Sequence, residues 1–405
     1  MRTRSSLICS IFLCSVCFGA TPSGSADVAS AEGILLGFSS NRPADNDHDS
    51  AQQFSTAWIV RHGETAELVA VLPYLIVPRP TGFWRIGIEN VCEMYGENNE
   101  YRSRRDIVWS GPADVTPHLN KGPECPAKPQ GKDQPDSAGE YQSSNGGPVD
   151  RYTDCLYRSR TISFVSPNYI SESAEEANTE ACEARGGRVW AWSRVLSITT
   201  PEMRAVYGSE EQGPMAKALS DFADQNPKRA ADAFKAVFTK EDKDVVGGGS
   251  NCPEAAVDYQ GWEIRRKDGM WIPWISQQLF LGFSGDCVID ASVPVRLPSS
   301  LAGRNRVVPA LGELKKAFPE LTDAFTSPRG NTTIVITSAK VLVFSVSGEK
   351  LGTKLLEVDF PNGATPVMEQ WAIGTYVESW TQQVQQWKIH PPPSPVISSD
   401  VKATQ

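Results

Sequence analysis

Apolar and polar residues along this chain alternate far more often with the two-residue period of a strand than with that of a helix. Residues 56–61, 67–72, 74–78 and 83–89 read as a dense run of strands, preceded by a first strand opening over residues 34–37. Between the last two strands of that run stands Arg79-Pro80-Thr81-Gly82, where Pro80 presets one turn dihedral and Gly82 accepts the unusual one. The strand pattern returns in "RTISFVSPNYIS" and "VWAWSRVLSIT". A short helix is expected between them, over residues 175–185, ended by Gly186-Gly187.

Helical periodicity is confined to a few places. Residues 201–238 break near Pro227 into two helices, with Phe222, Ala230, Phe234 and Val237 on one face. Residues 311–325, carrying Pro319, read as a short helix, and residues 332–360 as two strands. In the final helix, expected over residues 365–387, Thr365 caps and Pro366 takes the first helical position. Met368, Ala372, Tyr376, Trp380, Val384 and Trp387 make its apolar stripe, which reads as a core-facing surface. The class that follows is α+β, predominantly antiparallel β with a helical middle and a C-terminal amphipathic helix. "NTTIVITSAKVLVFSVSGEKL" is similar to one blade of a β-propeller, which makes a propeller-like fold the lesser alternative.

Composition changes the picture at the ends and in the linkers. Arg2 and Arg4, the apolar residues 7–18 and the small Gly19 and Ala20 have the layout of a secretory signal, with cleavage near Gly19 or Ala20. A lipid-anchored alternative at Cys17 has poor flanking residues. No later segment carries the roughly 20 uninterrupted apolar residues of a membrane span, so the mature chain is expected to be soluble, secreted or periplasmic. The units expected are residues 1–20 as signal, 21–31 as flexible leader, 32–110 as a β-rich N-terminal unit and 111–150 as a Pro/Gly-rich loop. Residues 151–246 follow as strands plus a helical segment, 252–389 as a C-terminal α+β unit, and 390–405 as a disordered tail.

Of the nine cysteines, three fall in the signal, leaving Cys92, Cys125, Cys155, Cys182, Cys252 and Cys287. An even set in an exported chain reads as disulfides, with Cys155–Cys182 and Cys252–Cys287 as the preferred pairs. None lies in a C-x-x-C or cysteine–histidine cluster, so no metal site is expected. The net charge of −9 argues against a nucleic-acid partner, which needs clustered Lys and Arg.

One stretch carries the look of an active site: "IVRHGET", residues 59–65. It resembles the signature of the histidine phosphatase and phosphoglycerate mutase superfamily. That resemblance implies an α/β fold, a phosphoryl-accepting His62 and a phosphate-clamping Arg61. The family also needs a second His, a second Arg and an acid converging on the phosphate, because phosphoryl transfer is catalysed by positioning and electrostatics. The other histidines are His48 in a polar loop, His118 in the Pro-rich excursion and His390 against three prolines. None stands in the family's late strand-end motif, and the alternating helices and strands of an α/β fold do not follow.

The same pattern returns without the histidine. "WIVRHG" from Trp58 is echoed by "WEIRRKDG" from Trp262, and counted from the tryptophan the second carries Arg266 where the first carries His62. Both read as a strand entering a tight glycine turn, the chemistry of a hairpin. Trp58, Trp84, Trp109, Trp190, Trp192, Trp262, Trp271 and Trp274 all fall in strand-like segments. Core packing is the stronger reading for them, and stacking on sugars the alternative. The sequence therefore favours an exported, non-enzymatic binding or envelope-associated protein without cofactor, its ligand a glycan or other envelope component. The alternative is a histidine-phosphatase-like phosphomonoesterase using His62 and Arg61.

Overall fold

The computed structural model describes residues 31–41, 52–95, 101–116, 118–120, 153–178, 189–198, 262–280, 286–293, 297, 299–303, 306–360, 363–392 and 396–398. The expected signal, most of the leader and loop, the helical middle and the cysteine side chains lie outside the described residues.

Antiparallel β structure dominates. One sheet of 13 strands runs through β1 (Glu32–Asn41), β2 (Gln52–His62) and β3 (Thr65–Leu72) on one side. On the other side of β1 come β18 (Thr365–Ile373), β8 (Thr153–Val165), β9 (Tyr169–Asn178), β10 (Val189–Ser197), β12 (Met270–Phe280) and β11 (Glu263–Lys267). Off that path, β13 (Asp286–Ser292) pairs with β12, while β4 (Leu75–Arg79), β5 (Gly82–Tyr95) and β6 (Tyr101–Pro112) lead to β8. A second sheet is the meander β14 (Leu321–Thr326), β15 (Thr332–Thr337), β16 (Lys340–Ser347) and β17 (Lys350–Asp359). A small parallel pair joins β7 (His118–Asn120) to β19 (Val396–Ser398). Three helical segments are described: α1 (Ser299–Ala302), α2 (Leu311–Ala317) and α3 (Thr375–Ile389).

The layers follow from the pleat. Successive side chains of a strand point to opposite faces, so a strand buried on both sides must be apolar throughout. In β1, Ile34, Leu36 and Phe38 pack towards Phe325, Ile334 and Val343 of the meander. Leu35 packs the other way, with Trp58 and Val60 of β2, against Val377, Val384 and Trp387 of α3. Beyond the meander, Leu314 of α2 covers Ala324, Val335 and Leu342. The order is therefore helix, meander, large sheet, helix, with β1 and β2 at the centre. Gly33 lets Trp58 lie flat there, since a Cβ would stand 2.2 Å from its ring. Full burial of one such large side chain stabilises by about 1.5–3 kcal/mol.

Several local expectations change. Residues 365–373 form a strand, not the start of the last helix: β18 pairs along β1, and Pro366, which has no N–H to give the ladder, sits where the register shifts. The helix begins only after Gly374. Of its expected stripe, Val384 and Trp387 are buried as core, whereas Tyr376 is 65% exposed. Of the helix expected over residues 175–185, Glu175 to Ala177 pair with both β8 and β10 and Asn178 with β8, which overrides their helical composition, and residues 179–185 lie outside the described residues. Residues 311–325 divide at Pro319 into α2 and β14, because proline cannot continue the helix. Residues 332–360 hold three strands rather than two, and they form one layer of a sandwich. Among the described residues no radial repeat of blades occurs, so the propeller alternative falls.

Candidate functional site

The phosphatase-like stretch is the end of a hairpin. β2 and β3 join through a two-residue turn, with His62 opposite Thr65. Gly63 at φ 57° is the left-handed residue that starts such a turn, which is why glycine stands there. The His62 side chain is exposed. Arg61 turns its guanidinium inward to the meander: Nη1 donates to the Asn331 carbonyl at 2.5 Å and the Thr332 hydroxyl at 2.8 Å. Its Nε donates to the Gly63 carbonyl at 2.7 Å. Thr332 in turn donates to the buried Glu32 at 2.6 Å. Arg61 thus ties the large sheet to the meander, and a phosphate could use it only by displacing those acceptors. Of the other histidines, His48 and the His118 side chain lie outside the described residues, and His390 is exposed just beyond α3.

The echo at Trp262 is also a hairpin, β11 to β12, turning on Asp268 at φ 50° and Gly269 at φ 73°. Two consecutive left-handed residues make the other favoured hairpin turn, for which Asp-Gly is a preferred pair. Counted from the turn, Arg266 matches Arg61, and Lys267 matches His62, which corrects the alignment counted from the tryptophans.

Arg266 leads to a different kind of place. Its Nε donates to Asp323 at 2.9 Å and its Nη2 to the Ala324 carbonyl at 2.6 Å. The guanidinium lies 4.0 Å from the centre of the Phe325 ring and 5.0 Å from that of Trp271. Glu369 of β18 stands 3.8 Å away, and the Arg266, Asp323 and Glu369 side chains are only 6%, 5% and 12% exposed. The Trp371 indole donates to the Glu369 carboxylate at 2.8 Å. Burial pushes the carboxyls of both Asp323 and Glu369 above the ordinary range, with Arg266 pulling them back.

In front of Glu369 opens a cleft of about 420 Å³ at the mouth between the two sheets. Trp271 and Trp371 form its aromatic wall with Phe164, whose ring meets Trp271 edge-on at 4.8 Å. Asn168, exposed in the β8–β9 turn, and Gln370 of β18 supply polar groups, while the buried hydroxyls of Ser166 and Thr326 are already hydrogen-bonded to Tyr169 and to Val308 and Thr333. Leu301, Ala302 and Gly303 close the remaining side. Aromatic walls with a few fixed polar groups are the usual make-up of a small-molecule site, and buried acids with raised pKa cluster in such sites.

Sequence reasoning placed Glu369 and Trp371 inside a helix and so missed them. The signal was the alternation in "VMEQWAI", which as a strand puts both side chains on one face. His62 and Arg61 lie on one hairpin end, and neither lines this cleft.

No family model matches the chain. No curated protein matches it either. Among solved structures, a crystal structure described as a "putative 6-phosphogluconolactonase" from Bacteroides uniformis is similar at 9% identity, over 81% of this chain and 68% of that one, with a TM-score of 0.14. A likeness so slight carries no argument about fold or function.

Proposed function

We propose that this chain is an exported, envelope-associated binding protein that takes a glycan unit in the inter-sheet cleft. The observation that carries the reading is the lining: indole rings of Trp271 and Trp371 beside the polar side chains of Asn168, Glu369 and Gln370. Flat apolar rings meet the C–H faces of a sugar, and the polar groups meet its hydroxyls. Export rests on the N-terminal pattern of Arg2, Arg4 and the apolar residues that follow. No helix among the described residues is long and apolar enough to cross a membrane.

The reading is tested by titrating neutral envelope-type oligosaccharides against the mature protein by calorimetry. Saturable binding is expected, weakened at least about tenfold in Trp371→Ala, as for a central aromatic contact. Absence of binding to every neutral and amino-bearing glycan offered, or affinity unchanged in Trp371→Ala, would sink it. Phosphomonoester turnover that disappears in His62→Ala would instead favour the phosphatase alternative.

A further inference from the structure

Taking the cleft to be the binding site, we infer that it selects a ligand carrying a protonated amine, seated against Glu369. The argument is one of charge. Arg266 is committed to Asp323 at 2.9 Å and to the Ala324 carbonyl, and its guanidinium lies against the rings of Phe325 and Trp271. Glu369 receives it only at 3.8 Å, beyond hydrogen-bond reach. With both acids ionised, two carboxylates face one guanidinium, and Glu369, the one that lines the cleft, is the odd charge. Its side chain is 12% exposed, and the described residues that line the cleft include no Lys, Arg or His to balance it.

A buried charge without a matching partner is expensive, and whatever supplies the missing positive charge gains by doing so. An ammonium entering the cleft meets a carboxylate held in place by the Trp371 indole N–H, and aromatic faces that favour a cation. A neutral sugar would use the rings and the polar groups but leave the charge unmatched. An anion would meet Glu369 directly and be repelled.

The experiment titrates three probes: an oligosaccharide of N-acetylated amino sugars, the same oligosaccharide with free amines, and butylamine, which has the cation without the sugar. The free-amine form is expected to bind at least about tenfold more tightly than the acetylated form, the scale of a charge-assisted hydrogen bond. Glu369→Gln is expected to erase that preference, bringing the two oligosaccharides to equal affinity. Equal binding of the two oligosaccharides, or a preference that survives Glu369→Gln, overturns the inference and leaves the glycan reading standing. Butylamine bound through Glu369 with neither oligosaccharide bound keeps the cation site and removes the glycan. No binding by any of the three overturns both. The acetylation comparison uses the unaltered protein, so it decides alone should Glu369→Gln fail to fold.

Discussion

The hairpins β2–β3 and β11–β12 begin with the same written pattern, a tryptophan, a β-branched residue, arginine and a turn glycine, yet they end in different physics. Each places an arginine one residue before the last rung of the hairpin, aimed at the meander. Arg61 finds neutral acceptors there, a carbonyl and a hydroxyl, and its only carboxylate among the described residues is the exposed Glu64 of its own turn, 3.7 Å from Nη2. Arg266 finds Asp323 on the meander and Glu369 on its own sheet, with aromatic rings around its guanidinium. The first is a clip between layers and the second is the counter-charge behind a cleft. A local pattern therefore fixes the direction of a side chain, while its role is set by what the other sheet presents.

The largest effect expected from breaking this comparison is at the two arginines themselves. Arg266→Met strands two carboxylates in a nearly dry site and should cost about 3–5 kcal/mol in urea unfolding at neutral pH. Arg61→Met loses hydrogen bonds to neutral groups and should cost about 1–2 kcal/mol. Adding Asp323→Asn to Arg266→Met should return part of the loss, because it removes one of the stranded charges. Equal costs at the two positions would mean that the pocket around Arg266 admits water and that the contrast drawn here is wrong.

Next come the turn glycines. Both adopt left-handed backbone, which costs an L-residue about 1–2 kcal/mol, so Gly63→Ala should lose about that much. At Gly269 a Cβ would also stand 2.8 Å from Val307, whereas at Gly63 it meets nothing within 4 Å. Gly269→Ala should therefore lose about 1–3 kcal/mol more, from crowding of packed side chains. Thermal unfolding of the pair measures the difference, and identical midpoints would show that Val307 yields freely.

A third contrast is in pH. Burial holds the carboxyls of Asp323 and Glu369 above the ordinary range, so the folded chain keeps protons that the unfolded chain has released. The stabilisation this gives is complete below the ordinary carboxylate range, near pH 4, and is lost as pH rises through the folded values. Each such group steepens the decline by at most about 1.4 kcal/mol per pH unit. Glu369→Gln should flatten the fall of stability above pH 4, and urea midpoints across a pH series would show it. A slope unchanged by the substitution would mean that Glu369 is ionised in both states.

These contrasts also mark what the sequence made legible. The hairpins were readable because glycine turns and two-residue alternation are local signals, as at Gly63 and Gly269. The antiparallel β-rich class followed from many such signals agreeing. β18 was not readable: Thr365-Pro366 looks like a helix start, and only pairing with β1 makes residues 365–373 a strand. With the strand period hidden, Glu369 and Trp371 fell out of register with each other, and the cleft vanished with them. Arg266 was visible as a residue, but its partners Asp323 and Glu369 come from strands distant in sequence, and no spacing rule joins them.

The smallest effect is expected at the residue that first drew notice. His62 is exposed on the last rung of its hairpin, and the neighbouring Arg61 is bound to Asn331 and Thr332. Exposed positions without caps, strain or buried partners usually change stability by less than about 0.5 kcal/mol, so His62→Ala should unfold within that margin of the parent. Its binding curve for any cleft ligand should overlay that of the parent, since His62 does not line the cleft. Its counterpart by turn position, Lys267, has its ammonium 4.9 Å from the centre of the Trp274 ring, so Lys267→Ala should remove a cation–π contact and cost about 0.5–1 kcal/mol. If His62→Ala proved the more damaging of the two, the hairpin end would have a partner of its own, and the resemblance to a phosphoryl-transfer motif would regain its claim.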